Sequence, residues 1–333
     1  MLNLRKQFDK ENLHEIISDL PRQFSDAFEN TKIKIQIPEK IIFCAVGGSA
    51  LPVNLLKTFL AVEHLNFEIP LKINRDYTIP PQVNNDWSGF FISYSGNSEE
   101  TLSALAEAEK KNLKEIIIIA HGGKLKKIAE EKNYPFIEIP DFHQPRMSYA
   151  YVIGALLKTF DNSGLIKLDF EKLNEDIEKS IELTSKNEAF GLALAEKTKN
   201  RIPIFYASNI WKYIGMVLKI NINENAKQPA FWNVFPEMNH NEMVGFTNGM
   251  TNFKVIIIKD PDDDPRNIKR MEVFREILGE KLEAEIIEMP DASNFFKMID
   301  TLSIGQWMSY YLALLNEVDP TPVEIVERFK KLL

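Results

Sequence analysis

Ile116-Ile-Ile-Ile-Ala120 decides the architecture. Five apolar residues in a row show no alternation between an inside and an outside, so a strand here is covered on both faces. That is the signature of a parallel sheet with helices above and below it. The surrounding chain has the matching rhythm. Short apolar runs at 41–45, 71–73, 90–94 and 136–139 read as further strands. Helical periods at 51–62, 99–110, 125–131 and 148–160 lie between or after them. Strands alternating with helices build right-handed crossovers into one parallel sheet.

Asp161-Asn-Ser-Gly164 breaks this rhythm, and charged helical segments at 171–186 and 189–199 follow. The alternation then resumes, with strands predicted at 204–207, 255–258 and 284–287 and helices at 210–220, 266–282 and 292–316. Asp260-Pro-Asp-Asp-Asp-Pro265 reads as a solvated turn, and a last helix is expected at 322–332. The chain is therefore two similar α/β units joined by a helical segment.

Its length of 333 residues agrees with two domains, at about 150 residues for each. Acidic residues number 48 and basic residues 40, so the formal net charge is 40 − 48 = −8. That balance argues against a broad grip on nucleic acid or an anionic membrane. Hydrophobic residues at 44% and charged residues at 26% fit an ordinary soluble globular protein. Cys44 is the only cysteine, which excludes an intramolecular disulfide and any multi-cysteine metal site. The first ten residues, MLNLRKQFDK, are too charged for a signal peptide, and a cytoplasmic protein is expected.

In open α/β sheets, ligands bind beyond the carboxyl ends of the strands, near helix N-termini. Two loops of the first half lie there. Val46-Gly-Gly-Ser-Ala50 offers backbone amides and one hydroxyl, and matches neither common nucleotide-binding glycine pattern. Alone it reads equally well as a tight strand–helix turn. Ser93-Tyr-Ser-Gly-Asn-Ser-Glu-Glu-Thr101 carries four hydroxyl residues. Asn97 and Glu100 have the spacing of a capping box and predict a helix start. Uncharged donors at the positive end of a helix suit a phosphate monoester, provided that Glu99 and Glu100 turn outward. Two such loops on one sheet favour the phosphate over simple capping.

The densest polar stretch lies in the second half, at residues 223–242. It holds three carboxylates (Glu224, Glu237, Glu242), one imidazole (His240) and one ammonium (Lys227). A carboxylate with a histidine makes an acid/base pair, whereas one histidine without cysteine makes a poor transition-metal site. From the residues alone the three acids are indistinguishable. Among the other histidines, His14 and His64 fall on charged helical segments and are expected in solvent. His121 reads as a turn residue, and His143 precedes Gln144-Pro-Arg146. Arg146 suits an oxyanion or phosphate as well as it suits a surface salt bridge.

Val-Gly-Gly-Ser-Ala (46–50), Ser-Tyr-Ser-Gly-Asn-Ser-Glu-Glu-Thr-Leu (93–102), Gln-Pro-Arg (144–146), Asn-Glu-Asn-Ala-Lys (223–227) and Pro-Glu-Met-Asn-His-Asn-Glu (236–242) occur here in order. Together they resemble the bifunctional phosphoglucose/phosphomannose isomerases of the sugar-isomerase-domain superfamily. The likeness runs from about residue 25 to the C-terminus. It implies an α/β fold of two doubly wound, flavodoxin-like sugar-isomerase domains in tandem, at 25–165 and 185–333. Residues 1–24 would be an N-terminal helical segment and 166–184 a helical linker.

The resemblance also implies roles. Gly47, Gly48 and Ser49 would line the sugar-phosphate pocket, and Ser93, Ser95 and Ser98 would hold the phosphate. Ser98 stands where many members have threonine, which keeps the hydroxyl. Arg146 would stabilise the enediolate and Glu224 would be the base. His240 would open the sugar ring, reaching in from a partner subunit of a homodimer. Lys330 matches a C-terminal lysine near the sugar, with Lys331 as the adjacent alternative. The substrate would be a small sugar phosphate, with no metal, no cofactor, no nucleic acid and no membrane involved.

Elementary chemistry agrees with such a set. Moving a carbonyl between C1 and C2 needs one base to lift a proton from one carbon and return it to the other. A cation steadies the developing oxyanion, and a second acid/base opens the ring. Two rivals are a non-catalytic phosphosugar-binding regulator and an amino-sugar phosphate isomerase or transferase half. The first does not require Glu224, His240 and Arg146 together. The second is expected to carry an N-terminal glutamine-hydrolysing domain, for which residues 1–25 leave no room.

Overall fold

The computed structural model describes all residues except 64, 66, 249–251, 280–283, 331 and 333, so His64 and Lys331 lie outside the described residues. The chain forms two compact units, one of residues 20–177 and one of residues 1–19 with 178–333. Helices α1 (Leu2–Phe8) and α2 (Leu13–Ser18) belong to the latter, and α3 (Leu20–Asn30) to the former.

The 20–177 unit contains β1 (Lys40–Cys44), α4 (Leu51–Val62), β2 (Leu71–Asn74), β3 (Trp87–Ser93), α5 (Glu99–Lys110), β4 (Glu115–Ala120), α6 (Gly123–Lys132), β5 (Phe136–Glu138) and α7 (Tyr149–Asn162). Its sheet is parallel throughout, in the order β2-β1-β3-β4-β5. Burial on both faces explains the run of isoleucines. Ile42, Phe91 and Ile118 pack against Ala104, Leu105 and Ala108 of α5 and Leu125 and Ala129 of α6. Their neighbours point the other way, where Phe90 stacks on Phe43 at 4.9 Å and meets Phe160 of α7 at 6.1 Å. Cys44 lies in the first of these layers, where burial pushes its thiol up to about 12.

Helix α8 (Phe170–Glu182) leads into the second repeat: α9 (Thr184–Thr198), β6 (Ile202–Ser208), α10 (Lys212–Asn225), β7 (Phe231–Phe235), β8 (Phe253–Lys259), α11 (Pro265–Leu278), β9 (Ala284–Glu288), α12 (Asn294–Leu315) and α13 (Glu324–Lys330). Its sheet is again parallel, in the order β7-β6-β8-β9. Strand β7 was not expected from the sequence, which reads there as a polar loop. It is an edge strand with Phe231 54% exposed, and its apolar run Phe-Trp-Asn-Val-Phe is overlooked because it sits inside the polar stretch 223–242.

Helix α12 is buried from Phe295 to Leu314, as an apolar helix without a polar face must be. The N-terminal segment is fastened to it. Asp9 accepts the Leu13 amide at 2.7 Å and the Tyr310 hydroxyl at 2.9 Å. His14, expected in solvent, pairs instead with Glu188 at 2.9 Å and packs edge-on against Trp307 and Tyr310. The charged look of its segment hid one apolar face, Leu13 and Ile17, that turns to α12. Among the described residues, no helix is long and apolar enough to cross a membrane.

Candidate active site

In the 20–177 unit, the loops at the carboxyl ends of β1 and β3 are fastened to one another. After β1 the chain turns through Gly47–Ala50 into α4. Gly48 makes the approach possible. A Cβ there would sit 2.9 Å from the Arg146 nitrogen and 3.2 Å from Pro145, so only glycine lets the two backbones touch without displacement. Ser49 accepts the Tyr94 amide proton at 3.0 Å, which leaves its own O–H to donate elsewhere. Ser93 and Ser98 share a hydrogen bond of 2.9 Å across the second loop, and Ser95 accepts the Asn97 amide at 3.2 Å.

The expected capping box is not formed. Helix α5 begins at Glu99 with Ser98 as its N-cap, and no side chain caps it. Asn97 instead locks this loop to the next one, donating to the Ser95 carbonyl at 2.9 Å and accepting from the Lys124 amide at 3.1 Å. Its diversion leaves the first-turn amides of α5 uncapped, as an anion site requires. Glu99 is exposed, and Glu100 is half-buried.

Arg146 is wholly buried, which overturns the surface salt bridge as its alternative. It lies on a short turn, Pro145–Met147, and its Nη1 donates to Gln144 at 3.3 Å. The approach to it is held by Tyr94, whose hydroxyl donates to Asp141 at 2.9 Å and accepts the Phe142 amide at 2.7 Å. Burial holds the Tyr94 phenol far above its ordinary range, so it remains a donor. The His143 amide and the Tyr94 hydroxyl draw the Asp141 carboxyl below the usual range. Tyr94 and Asn97 were missed as positioning residues. The signal was Gly96 with Gly123, where a Cβ would meet the facing loop at 1.8 and 2.2 Å; Gly123 was read only as part of a turn.

In the other unit the three candidate carboxylates part company. Glu224, on the last turn of α10, lines a cavity of about 710 Å³ with Asn223, Lys227, Val318, Pro322 and Ile325. Lys227 donates to the backbone carbonyls of Glu224 at 2.6 Å and Pro320 at 3.2 Å, tying α10 to the chain before α13. Glu242 accepts the Tyr206 hydroxyl at 2.5 Å and the Asn233 amide group, so both its oxygens are in use. Glu237 is exposed and accepts from Asn241 at 2.8 Å. His240, on the turn Glu237–His240, is exposed. Lys330 pairs with Glu327 at 2.7 Å on the outside of α13 and does not line the cavity. Among the described residues, no three His, Cys, Asp or Glu side chains are grouped to hold a metal ion.

The separation of the acids has a test. Tyr206→Phe removes a hydrogen bond to a carboxylate, worth about 1.5–3 kcal/mol. Stability in thermal unfolding is expected to fall by that amount, with any turnover at this site staying within about threefold. Glu242 belongs to the chemistry if kcat instead falls by orders of magnitude.

Two parallel sheets of this kind, with hydroxyl-lined loops beyond the strand ends of one, make a doubly wound α/β protein that binds its ligand at a switch point. Residues 186–333 match the family described as bacterial phospho-glucose isomerase C-terminal SIS domain. The bifunctional phosphoglucose/phosphomannose isomerase of Caldicellulosiruptor bescii is 34% identical over 96% of this chain and 98% of its own. The D-glucosamine-6-phosphate 4-epimerase of Sulfolobus acidocaldarius is 32% identical over 72% of this chain and 76% of its own. Among solved structures, tagatose-6-phosphate ketose/aldose isomerase from Escherichia coli shares the fold with a TM-score of 0.72 at 13% identity, covering 93% of this chain and 94% of that one. The chain belongs to the bifunctional phosphoglucose/phosphomannose isomerase family.

Proposed function

We propose that this protein interconverts glucose 6-phosphate, and its C2 epimer mannose 6-phosphate, with fructose 6-phosphate through an enediolate. The observation that carries most weight is the setting of Glu224. Glu224 lines a cavity large enough for a sugar phosphate, whereas Glu242 has both oxygens hydrogen-bonded and Glu237 is exposed. Glu224 is then the base that moves the proton between C1 and C2. Arg146, fixed by burial, steadies the enediolate oxygens. Ser93, Ser95, Ser98 and the uncapped amides of α5 take the phosphate, and the 47–49 turn lies against the sugar.

His240 opens the ring as general acid and base. We assign it across a homodimer, because its ring is exposed in the single chain and exposed apolar residues flank it, Phe231 at 54% and Val244 at 64%. Lys330 is assigned to the sugar ring by the family likeness alone. The domains are taken as residues 25–165 and 185–333, and the site as metal-independent. An acidic chain with one buried, unreactive cysteine fits the cytoplasm.

A coupled assay on fructose 6-phosphate and mannose 6-phosphate, run with and without a metal chelator, tests the proposal. Turnover of both sugars that survives the chelator is expected. No turnover of either sinks the isomerase, and loss with chelator alone sinks only the metal-free mechanism. The 4-epimerase relative supports a second reading, in which the substrate is an amino-sugar phosphate. Glucosamine 6-phosphate in the same assay series separates the two.

A further inference from the structure

A sugar phosphate carries up to two negative charges, yet the hydroxyls and amides around Ser93–Ser98 are neutral. Arg146 is committed to the reacting oxygens, and Lys330 is paired with Glu327. A cation for the phosphate is missing from the set named so far, and Arg75 has the position for one.

Strand β2 lies beside β1 with Asn74 in register with Cys44, and the Ala45 amide donates to the Asn74 carbonyl at 3.1 Å. Arg75 therefore leaves the carboxyl edge of the sheet alongside the start of the Val46–Gly48 loop. Its Nη2 donates to Asn54 Oδ1 at 2.9 Å. Asn54 is 1% exposed and sits on the first turn of α4, directly after Gly47–Ala50. Arg75 itself is exposed, and among the described residues no carboxylate pairs with it.

The turn that carries Arg75 is also fixed on its other side. Asn74 holds the Asp76 carbonyl at 2.9 Å, and the Ile79 amide donates to Glu107 of α5 at 2.8 Å. Glu100 and then Glu99, in the first turn of α5, act on the Tyr77 phenol and push it up. Arg75 thus lies by the first turn of α4, and the turn that follows it is tied to α5, so it stands near the two helices that follow the candidate phosphate loops. A neutral amide orients the guanidinium without cancelling its charge, which a carboxylate would do. The planar fork matches two phosphate oxygens at once.

We propose that Arg75, oriented by Asn54, is a further substrate-binding residue that takes the phosphate of the sugar phosphate. The proposal rests on the isomerase reading of the same site. It makes Asn54 a positioning residue, and it places charge where the sequence offered only serines.

Arg75→Ala and Arg75→Lys are compared with the wild type in two measurements, the Kd for inorganic phosphate by titration calorimetry and the steady-state constants for fructose 6-phosphate. Arg75→Ala is expected to raise both the phosphate Kd and KM by about tenfold to a hundredfold, as loss of charge-assisted hydrogen bonds does. Turnover at saturation is expected to change by less than about threefold. Arg75→Lys, which keeps the charge and loses the fork, should recover part of the loss. Kd and KM within twofold of wild type in Arg75→Ala overturn the assignment, as does a wild type that binds no phosphate. A wild type that binds phosphate but turns over neither sugar overturns the isomerase reading instead, and the Kd comparison still decides Arg75.

Discussion

Glu224→Gln is expected to cut kcat for fructose 6-phosphate by about 10²–10⁴-fold, the usual contribution of a positioned general base. Each tenfold step corresponds to about 1.4 kcal/mol of lost transition-state stabilisation. The substitution keeps size and shape and removes only the capacity to accept the C1 or C2 proton. Glutamine keeps the backbone carbonyl that accepts from Lys227. Binding should survive as well, since the proposed mechanism gives the phosphate to other residues. Fructose 6-phosphate is therefore expected to raise the melting temperatures of the variant and the wild type alike. The alternative acids give the experiment its controls. Glu237 is exposed and Glu242 is tied by Tyr206 and Asn233, so their glutamine variants should retain turnover. If Glu224→Gln keeps wild-type kcat, the proton is moved by a different group and the cavity beside α10 loses its assigned role.

The parts of the fold that were legible in the sequence are those where burial dictates residue type. Residues 116–119 can only be a doubly covered strand, and the boundaries of α4 and α5 follow directly from the period of apolar residues in them. Strand β7 was illegible for the opposite reason. At the sheet edge, Phe231 faces solvent and Asn233 serves Glu242, and the polar residues on either side mask the short run Phe-Trp-Asn-Val-Phe. Within the site, residue types announced the chemistry, but partners distant in sequence decided who performs it. Asn97 has the local spacing of a cap, yet the Lys124 amide 27 residues on competes for its side chain and wins. Arg146 could not be told from a surface arginine, because its burial comes from α7 and the neighbouring loops rather than from its own segment. The three acids of the motif are equal until Tyr206, 36 residues earlier in the chain, selects Glu242 as its partner. Arg75 escaped notice because nothing adjacent to it in sequence reveals that Asn54 holds it.

Gly96→Ala is expected to disable both stability and phosphate binding, and the contrast with Gly47→Ala shows why. Both glycines have positive φ, +66° at Gly96 and +55° at Gly47. An alanine pays the left-handed penalty at either place, about 1–2 kcal/mol. At Gly47 nothing lies within 4 Å of the new Cβ, so the cost stops there. At Gly96 the Cβ would fall 1.8 Å from the Gly122 carbonyl oxygen and 2.7 Å from its carbon. These are backbone atoms and cannot swing aside as a side-chain end can, so the two loops must separate. Separation breaks the bond from the Leu125 amide to the Gly96 carbonyl, 3.0 Å, and the one from the Lys124 amide to Asn97, 3.1 Å. At about 1 kcal/mol for each bond, added to the backbone strain, the loss comes to about 3–4 kcal/mol. For a domain of this size that corresponds to a melting temperature lower by about 10 °C. The molecules that remain folded should also bind phosphate poorly, because Ser95 and Ser98 ride on the displaced loop and no longer face the ligand together. Thermal unfolding and KM for fructose 6-phosphate, measured on both alanine variants, separate the two effects. In thermal unfolding Gly47→Ala should lose only the strain term, while its KM reports a methyl group added beside the proposed sugar site. If Gly96→Ala melts no lower than Gly47→Ala, the close packing of the 96 and 122 loops is not what holds the phosphate loop in place.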